Sequence, residues 1–307
     1  MADERRGLLY GVAAYALWGL FPIYWPLLKP AGPVEILSHR FIWSLVVVVA
    51  ILAVQRNWGW LNRYARQPRL FGMLAVAAVL ITVNWATYIY GVNSGNVVET
   101  SLGYFINPLV TVLLGVVVLR ERLSAGQWVA VGVASLAVAV LTIDYGRLPW
   151  IALVLAATFA TYGLIKKKAD AGAVESLTIE TAVITLPALG FLGILEANGT
   201  GTFGHVSPGH TLLLAGAGLV TAIPLLFFGA AATRIRLTTL GLLQYLAPIL
   251  QFLIGVLLFR EPMPASRFAG FALVWLALAV FTADSIARHR RHARLTRLAR
   301  LAPEVVR

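Results

Sequence analysis

Side-chain amides and phenolic hydroxyls recur at helical spacing in otherwise apolar parts of this sequence. Asn84 and Tyr88 are four residues apart and Tyr104 and Asn107 are three apart, so each pair shares one face of a helix. Such groups can hydrogen-bond a small solute while neighbouring rings pack against its apolar parts. The predicted substrate-binding set is Trp18, Asn84, Trp85, Tyr88, Tyr104, Asn107, Gln244 and Tyr245. Interhelical hydrogen bonds and interfacial aromatic belts are the alternative interpretation.

Ionisable side chains are few in these apolar parts, and an ionisable group inside a membrane is a functional candidate by default. We predict two charge pairs that act as gates or braces, one near each side of a membrane. Arg40 with Glu99 forms the outer pair, and Glu180 with Arg234 or Arg236 forms the inner pair. The alternative is that the arginines reach the interface and the carboxylates are unrelated to them. His39, beside Arg40, belongs to the same predicted gating set but does not by itself establish proton coupling.

Signatures of hydrolytic and ATP-driven enzymes are missing from the sequence. It contains no H-E-x-x-H, no G-x-x-x-x-G-K-[ST] and no G-x-S-x-G. It also has no cysteine, which excludes disulfides and thiolate metal sites. We therefore predict no enzymatic activity, no cofactor and no metal. The rival interpretation is a non-transporting membrane protein, either a membrane enzyme or a scaffold. A cavity bounded by Tyr104, Asn107 and Gln244 would favour transport, and a dry, closely packed centre would favour the rival.

Long apolar segments are the elements that must position these residues. The 307 residues are 59% hydrophobic and 12% charged, whereas soluble domains carry about 25% charged residues. About 20 apolar residues span a bilayer as a helix, and inside lipid a single segment satisfies its own backbone only as a helix. The sequence therefore predicts an all-α integral membrane protein. Its ten predicted transmembrane segments are 8–28, 36–54, 70–91, 98–119, 126–143, 148–165, 174–195, 211–231, 238–259 and 264–283.

Positive charge is distributed unequally between the loops that connect these segments. With the N-terminus in the cytoplasm, 20 of the 25 lysines and arginines fall on the inner side, 4 on the outer side, and Arg40 within a segment. This bias satisfies the positive-inside rule. We predict a protein of the plasma (inner) membrane with both termini cytoplasmic. The net charge of +12 is then explained by topology and lipid head groups, so we predict no nucleic-acid partner.

An internal repeat appears when the sequence is compared with itself at an offset of 140 residues. Pro108 aligns with Pro248, Arg120-Glu121 with Arg260-Glu261, and Asp144 with Asp284. Each repeat holds five predicted helices, and an odd number inverts the second repeat relative to the first. Inverted repeats are the common plan of secondary transporters, with the substrate site between them near the middle of the membrane.

The repeat sets the predicted boundaries of the chain. Residues 1–7 form a cytoplasmic N-terminus, 8–143 the first five-helix repeat and 148–286 the second. Residues 287–307 form a basic cytoplasmic tail that lies on the anionic inner leaflet or is disordered. The matching prolines of the two repeats, Pro108 and Pro248, are predicted to kink two equivalent helices beside a central cavity. Toleration of proline by membrane helices in general is the alternative.

Several motifs resemble the RarD proteins, a branch of the EamA family within the drug/metabolite transporter superfamily. They are EILSHRFIWS, ITVNWATYIYGVNSG, ETSLGYFINPLV, YGLIKKK, AATRIRLTTLGLLQYLAP and FREP, and the likeness runs over roughly residues 5–286. The resemblance implies ten helices in two inverted five-helix repeats, with export or exchange of small organic solutes such as amino acids, metabolites or drugs. It implies no catalytic residues. The tail after Asp284 departs from the family by being longer and more basic.

These observations predict a secondary transporter that works by alternating access between the two repeats. Its predicted partners are a small organic solute, the lipid bilayer and a coupling proton, with a solute gradient as the other possible driving force.

Overall fold

All regular secondary structure in the described part of the chain is helical. The computed structural model describes residues 2–56, 58–61, 64, 66–120, 123–169, 173–232, 234–235 and 243–301. The predictions for Glu121 and Arg236 lie outside these residues. The described helices of eight or more residues are α1 Ala2–Gly19, α2 Pro33–Gln55, α3 Pro68–Asn93, α4 Val97–Leu119, α5 Ala125–Tyr145, α6 Trp150–Ala169, α7 Ala173–Ala197, α8 Pro208–Ala232, α9 Leu246–Leu253 and α10 Ala265–Leu301. Three shorter helical segments are Phe21–Tyr24, Trp25–Leu28 and Ile254–Leu258.

Eight helical spans among the described residues are long and apolar enough to cross a membrane. They include Glu4–Leu28, which continues α1 through two short helices, and Ala265–Asp284, the first part of α10. The segments Trp150–Lys166 and Leu246–Leu258 are apolar but shorter. The predicted all-α membrane fold is therefore confirmed at the level of eight spans.

Local sequence signals account for several helix ends. α2 begins with Pro33 at its first position, where the missing N–H costs no hydrogen bond. α5 begins with a capping box in which the Ser124 side chain accepts from the Gln127 N–H and the Gln127 side chain accepts from the Ser124 N–H. Three non-glycine residues that follow helices, Arg56, Arg120 and Arg260, have left-handed φ values of 50°, 55° and 52°.

The two repeat-related prolines occupy different places in their helices. Pro108 lies inside the continuous helix α4, where its ring removes one backbone hydrogen bond. Pro248 lies in the first turn of α9, whose N-cap is Tyr245. A proline there interrupts no established helix, because the first-turn N–H groups have no intrahelical partner. Gln244 and Tyr245, immediately before α9, form a turn.

Residues 1–107 and 150–262 form one compact unit, unit 1. Within it α8 packs against α1 and α2, α7 packs against α2, and α6 packs against α3. Its largest hydrophobic cluster is built around buried side chains that include Trp25, Phe41, Tyr88 and Leu155. This cluster surrounds the predicted site residues of α2 and α3.

Residues 108–149 and 263–307 form a second compact unit, unit 2, in which α5 packs along α10. Polar contacts hold the two helices near both ends of α5. The Asp144 carboxylate accepts from Arg267 Nε at 2.8 Å and from the Ser266 hydroxyl. The Asp284 carboxylate accepts from the Ser124 hydroxyl at 2.7 Å.

The last helix runs further than the sequence predicts. The predicted segment ends at residue 283 and a separate tail begins at 287, yet α10 continues to Leu301. Alanine, leucine and arginine, which dominate this stretch, are strong helix formers and need no membrane to remain helical. Residues 302–307 of the predicted tail lie outside the described residues.

A glycine of α8 permits the close approach of α8 to α2. A Cβ atom at Gly218 would overlap the Trp43 backbone carbonyl and lie 2.6 Å from the Trp43 Cβ. We expect Gly218→Ala to push the helices apart and destabilise the protein by about 2 kcal/mol. The melting temperature in detergent should fall by several degrees. Gly193→Ala is the matched control, because a Cβ at Gly193 in α7 meets nothing within 4 Å. Equal melting temperatures for the two variants would contradict this close packing.

Candidate functional site

The side chain of Arg40 lies at the centre of the hydrophobic cluster of unit 1. It is 2% exposed, and its Nε donates to Thr221 Oγ1 at 2.7 Å. The guanidinium carbon is 3.6 Å from the centre of the Trp85 ring and 5.1 Å from that of Trp25. A cation is attracted to the face of an aromatic ring at these distances. The candidate site therefore contains a buried cation that is enclosed by aromatic rings.

Polar side chains of α3 and α4 lie beside this enclosure. Asn84 is fully buried, and its Nδ2 donates to the Leu155 carbonyl and to Thr158 Oγ1, each at 2.9 Å. The Tyr104 hydroxyl lies 3.5 Å from Asn84 Oδ1, at the long limit of a hydrogen bond. The Tyr88 and Tyr104 rings meet edge to face with centroids 5.7 Å apart. Asn84 thus ties α3 to α6 and also faces a phenolic hydroxyl.

Trp18 occupies a neighbouring cluster formed by α1, α8 and α9. Its ring is tilted against Phe228 with centroids 5.8 Å apart and meets Tyr15 edge to face at 5.3 Å. Its backbone carbonyl accepts from Gln251 Nε2 at 3.1 Å. Trp18 packs partly against the cluster around Arg40 as well, so it joins the two groups of aromatic side chains.

The remaining predicted binding residues lie on other elements. Gln244 and Tyr245 are half-buried in the turn before α9, where the Tyr245 carbonyl accepts from the Ile249 N–H at 3.1 Å. Asn107 is half-buried in α4, at the last position of unit 1. The structure thus places Trp85 against Arg40, with Tyr88 and Tyr104 in the same hydrophobic cluster and Asn84 beside Tyr104. It places Gln244 and Tyr245 on a separate element of the same unit.

The members of the predicted outer pair are both buried, and each contacts a different group. Arg40 contacts Thr221 and aromatic rings. Glu99 is 1% exposed and accepts from the backbone N–H of Ile151 at 3.1 Å, in the first turn of α6. A carboxylate is favourable at that position because the first N–H groups of a helix lack intrahelical partners. His39 is also buried and stacks on the Phe203 ring with centroids 4.6 Å apart.

Among the described residues, Glu180 pairs with Lys166 rather than with the predicted Arg234, and the other predicted cation, Arg236, lies outside them. Glu180 forms an ion pair with Lys166 Nζ at 2.6 Å and accepts from the Tyr162 hydroxyl at 3.0 Å. Lys166 Nζ also contacts the Ser176 hydroxyl. The predicted partner Arg234 is exposed, donates to the Ala230 carbonyl at 2.8 Å and lies over the Tyr10 ring. The Glu180 network therefore joins α6 to α7.

Sequence reasoning missed three residues of these networks for identifiable reasons. Lys166 stands in a run of three lysines that was counted only toward topology. Thr221 is a single hydroxyl in an apolar helix, and nothing in its spacing distinguishes it. Trp25 follows a break in the first helix, so the helical period of α1 does not predict its direction.

Two surface clefts of about 500 Å³ occur in unit 1, and neither is lined by a predicted binding residue. One lies among Gly204–Leu212 and the other between the start of α3 and the end of α6. The group around Arg40 is instead enclosed by packed side chains.

Comparison with known proteins shows that the chain is similar to proteins named as transporters. A family model described as the EamA-like transporter family matches residues 5–143. Protein RarD of Streptomyces exfoliatus is 59% identical over 298 residues, which cover 97% of this chain and 95% of that protein. A Pseudomonas aeruginosa protein named an uncharacterized transporter is 44% identical over 290 residues, covering 94% and 97% of the two chains. One solved crystal structure has a TM-score of 0.57 at 19% identity, covering 89% of this chain and 97% of the other, and thus shares its fold.

Proposed function

Since this chain belongs to the RarD-type proteins of the EamA-like transporter family, we propose that it is a secondary transporter that exports small organic solutes. Amino acids, metabolites and drugs of similar size are the proposed solute classes. The driving force is a proton or solute gradient, because the sequence holds no ATP-binding motif.

The observation that carries this proposal is the group of polar side chains buried among candidate membrane-spanning helices. Arg40 lies in α2, Asn84 and Tyr88 in α3, and Tyr104 in α4, each well inside its span. Polar groups at that depth are costly unless they bind one another, water or a ligand. Amides, hydroxyls and rings together form a surface suited to a partly apolar solute. In this arrangement the group is enclosed by packed side chains, so the proposal requires another conformation that opens it.

Several paired features support two inverted repeats and ten crossings. Two of the three non-glycine left-handed residues, Arg120 and Arg260, stand 140 positions apart, the offset of the sequence repeat. In unit 2, Asp144 near the end of α5 bonds the start of α10, and Asp284 of α10 bonds Ser124 before α5. A pseudo-two-fold relation between α5 and α10 accounts for this exchange. The shorter helices α6 and α9 are then the sixth and ninth crossings, and both termini are cytoplasmic.

Alternating access gives the charged contacts of unit 1 a role. The Glu180–Lys166 ion pair is proposed to close or brace one end of the passage, and Arg234 and Arg236 remain proposed neighbours of the same side. At α2 and α7, two carboxylates make exchanged contacts. Glu35 of α2 accepts from Thr202 beyond α7, and Glu175 of α7 accepts from Tyr64 beyond α2. Contacts of this kind can hold one end shut while the other opens.

Uptake into proteoliposomes tests the proposal. We expect saturable accumulation of at least one solute from a labelled pool of amino acids and small aromatic compounds, and a dependence on the pH gradient if a proton is coupled. Asn107→Ala and Gln244→Ala should each reduce uptake at least tenfold while leaving the melting temperature within a few degrees of wild type. Asn198→Ala, at an exposed position after α7, is the matched control and should transport normally.

The rival function is a membrane scaffold, which the close packing around Arg40 also fits. Failure of correctly folded wild-type protein to move any solute of the pool in either direction would favour the scaffold. Normal uptake by both Asn107→Ala and Gln244→Ala would keep the transporter but remove these two residues from its site.

A further inference from the structure

The buried charge of Arg40 has no carboxylate partner among the described residues. Arg40 is the eighth residue of α2, about 10 Å along the helix from its start. Its contacts are the Thr221 hydroxyl and the rings of Trp85, Trp25 and Phe21. A guanidinium stays protonated in proteins, so the positive charge is present in this arrangement.

The buried carboxylates of unit 1 among the described residues are each bound to other groups. Glu35 accepts from the Thr202 N–H and hydroxyl at 2.7 and 2.9 Å. Glu99 accepts from the first turn of α6, and Glu180 is paired with Lys166. A cation–π contact offsets part of the cost of removing a guanidinium from water, but a buried charge ordinarily needs an opposite charge as well. The missing compensation points to a ligand that carries it.

The donors around Arg40 fit an oxyanion. Its Nε donates to Thr221, so the two Nη groups can still donate two parallel hydrogen bonds to a carboxylate. The Tyr88 hydroxyl and the Trp25 indole N–H are buried, and none of the described residues hydrogen-bonds them. Tyr88 belongs to the same hydrophobic cluster as Trp25 and Phe21, whose rings contact Arg40. All these groups can donate a hydrogen bond, as an anion requires.

The surrounding rings limit what the rest of the ligand can be. Trp85 covers one face of the guanidinium and stacks on Phe41 with ring centroids 5.4 Å apart. Phe21 and Trp25 meet edge to face at 5.1 Å on another side. Such walls favour apolar or aromatic groups and disfavour highly hydrated polyanions. A small acid with an apolar body matches both the donors and the walls.

We propose that Arg40 binds the carboxylate of a small organic anion with an apolar body, and that such anions are a substrate class of this transporter. Binding of the anion follows from the contacts around Arg40, whereas its transport as a substrate rests on the proposed function. Tyr88 and the Trp25 indole donate to the same carboxylate. Trp85 and Phe21 pack against the apolar body.

Matched probes test this inference on the purified full-length protein. Binding of 3-phenylpropionate, 3-phenylpropionamide and inorganic phosphate is measured by calorimetry and by the shift in melting temperature. Wild type should bind the carboxylate at least tenfold more tightly than the amide, and phosphate should bind weakly. Arg40→Met should abolish the preference for the carboxylate, and Arg40→Lys should reduce it by tenfold or more because an ammonium lacks the two-pronged geometry. Arg147→Gln, which removes an exposed arginine at the Tyr145 ring in unit 2, should bind like wild type.

A measurement on wild type alone covers the case in which Arg40 variants do not fold. Photo-activated 4-benzoylbenzoate should cross-link to α2 or α3 near Arg40 and Trp85, and an excess of 3-phenylpropionate but not of the amide should prevent it. Cross-linking elsewhere, or equal binding of carboxylate and amide by wild type, would overturn the inference. Carboxylate binding at Arg40 without any transport would keep the inference and remove the proposed function. Saturable uptake of neutral solutes with no carboxylate binding would do the reverse.

Discussion

Replacing Lys166 by Met is expected to destabilise the protein by about 3 kcal/mol, because it leaves the Glu180 carboxylate buried without its cation. The side chains of Lys166 and Glu180 are 23% and 2% exposed, so the two members of the pair are not equivalent. Without Glu180 the ammonium of Lys166 can still reach water along its flexible stem. Without Lys166 the carboxylate retains the Tyr162 hydroxyl but no opposite charge.

This asymmetry sets an order of melting temperatures in detergent. Lys166→Met should be the least stable, Glu180→Gln should lose about 1 kcal/mol, and the double variant should be more stable than Lys166→Met alone. Lys168→Met, at an exposed lysine of the same helix, should melt like wild type. If Glu180→Gln proves more harmful than Lys166→Met, the buried carboxylate is not the group that needs the ion pair.

The length and position of most helices followed from the sequence because a bilayer crossing fixes both. The predicted segment 36–54 is observed as Pro33–Gln55. The predicted segment 8–28 shows the limit of that argument, since α1 ends at Gly19 and a separate short helix, Phe21–Tyr24, follows with Pro22 in its first turn. Hydropathy measures how apolar a stretch is, whereas proline and backbone hydrogen bonding decide whether it is one helix.

The faces of helices could also be predicted, but not the neighbours of those faces. Helical spacing places Asn84 and Tyr88 on one helix face. The Asn84 amide, however, donates a hydrogen bond to the backbone carbonyl of Leu155, which no side-chain pattern reveals. The sequence repeat relates equivalent positions rather than adjacent ones, so it does not identify the neighbour of Glu180. Its cation Lys166 lies 14 residues earlier, across the short connection between α6 and α7. Tertiary packing, absent from a periodicity argument, decides both partners.

Removing the exchanged contacts of α2 and α7 one at a time is expected to shift the equilibrium between the two open forms of the transporter in opposite directions. Glu35, the third residue of α2, accepts two hydrogen bonds from Thr202, which lies between α7 and α8. Glu175, the third residue of α7, accepts from the Tyr64 hydroxyl at 2.9 Å, between α2 and α3. Under the proposed inverted topology these contacts lie at opposite ends of the passage. Each then stabilises the closed form of its own end.

The size of the shift follows from the strength of the bonds lost. A hydrogen bond to a charged group contributes about 1.5–3 kcal/mol, and about 1.4 kcal/mol is a tenfold change in a two-state equilibrium. Tyr64→Phe removes one such bond, and its ring can still pack against Trp60. The end of the passage that the Tyr64–Glu175 contact closes should therefore be open about tenfold more often. Glu35→Leu removes two bonds and should open the other end by a larger factor.

The chain contains no cysteine, so a single introduced cysteine reports the accessibility of one end of the passage without labelling elsewhere in the protein. Ala31→Cys lies beside the start of α2, and Ala169→Cys lies in the cluster that contains Tyr64; both positions are buried. With an impermeant thiol reagent, Tyr64→Phe should speed labelling at position 169 and slow it at 31, and Glu35→Leu should do the opposite. Tyr90→Phe, at an exposed tyrosine of α3, is the matched control and should change neither rate.

The opposite signs separate alternating access from simple loosening. A variant that only weakens local packing should speed labelling at the nearby reporter and leave the distant one unchanged. Alternating access couples the two ends, because a molecule that opens one end more often must spend less time open at the other. Faster labelling at both positions 31 and 169 in either variant would therefore contradict the proposal that the paired contacts of α2 and α7 close opposite ends of the passage.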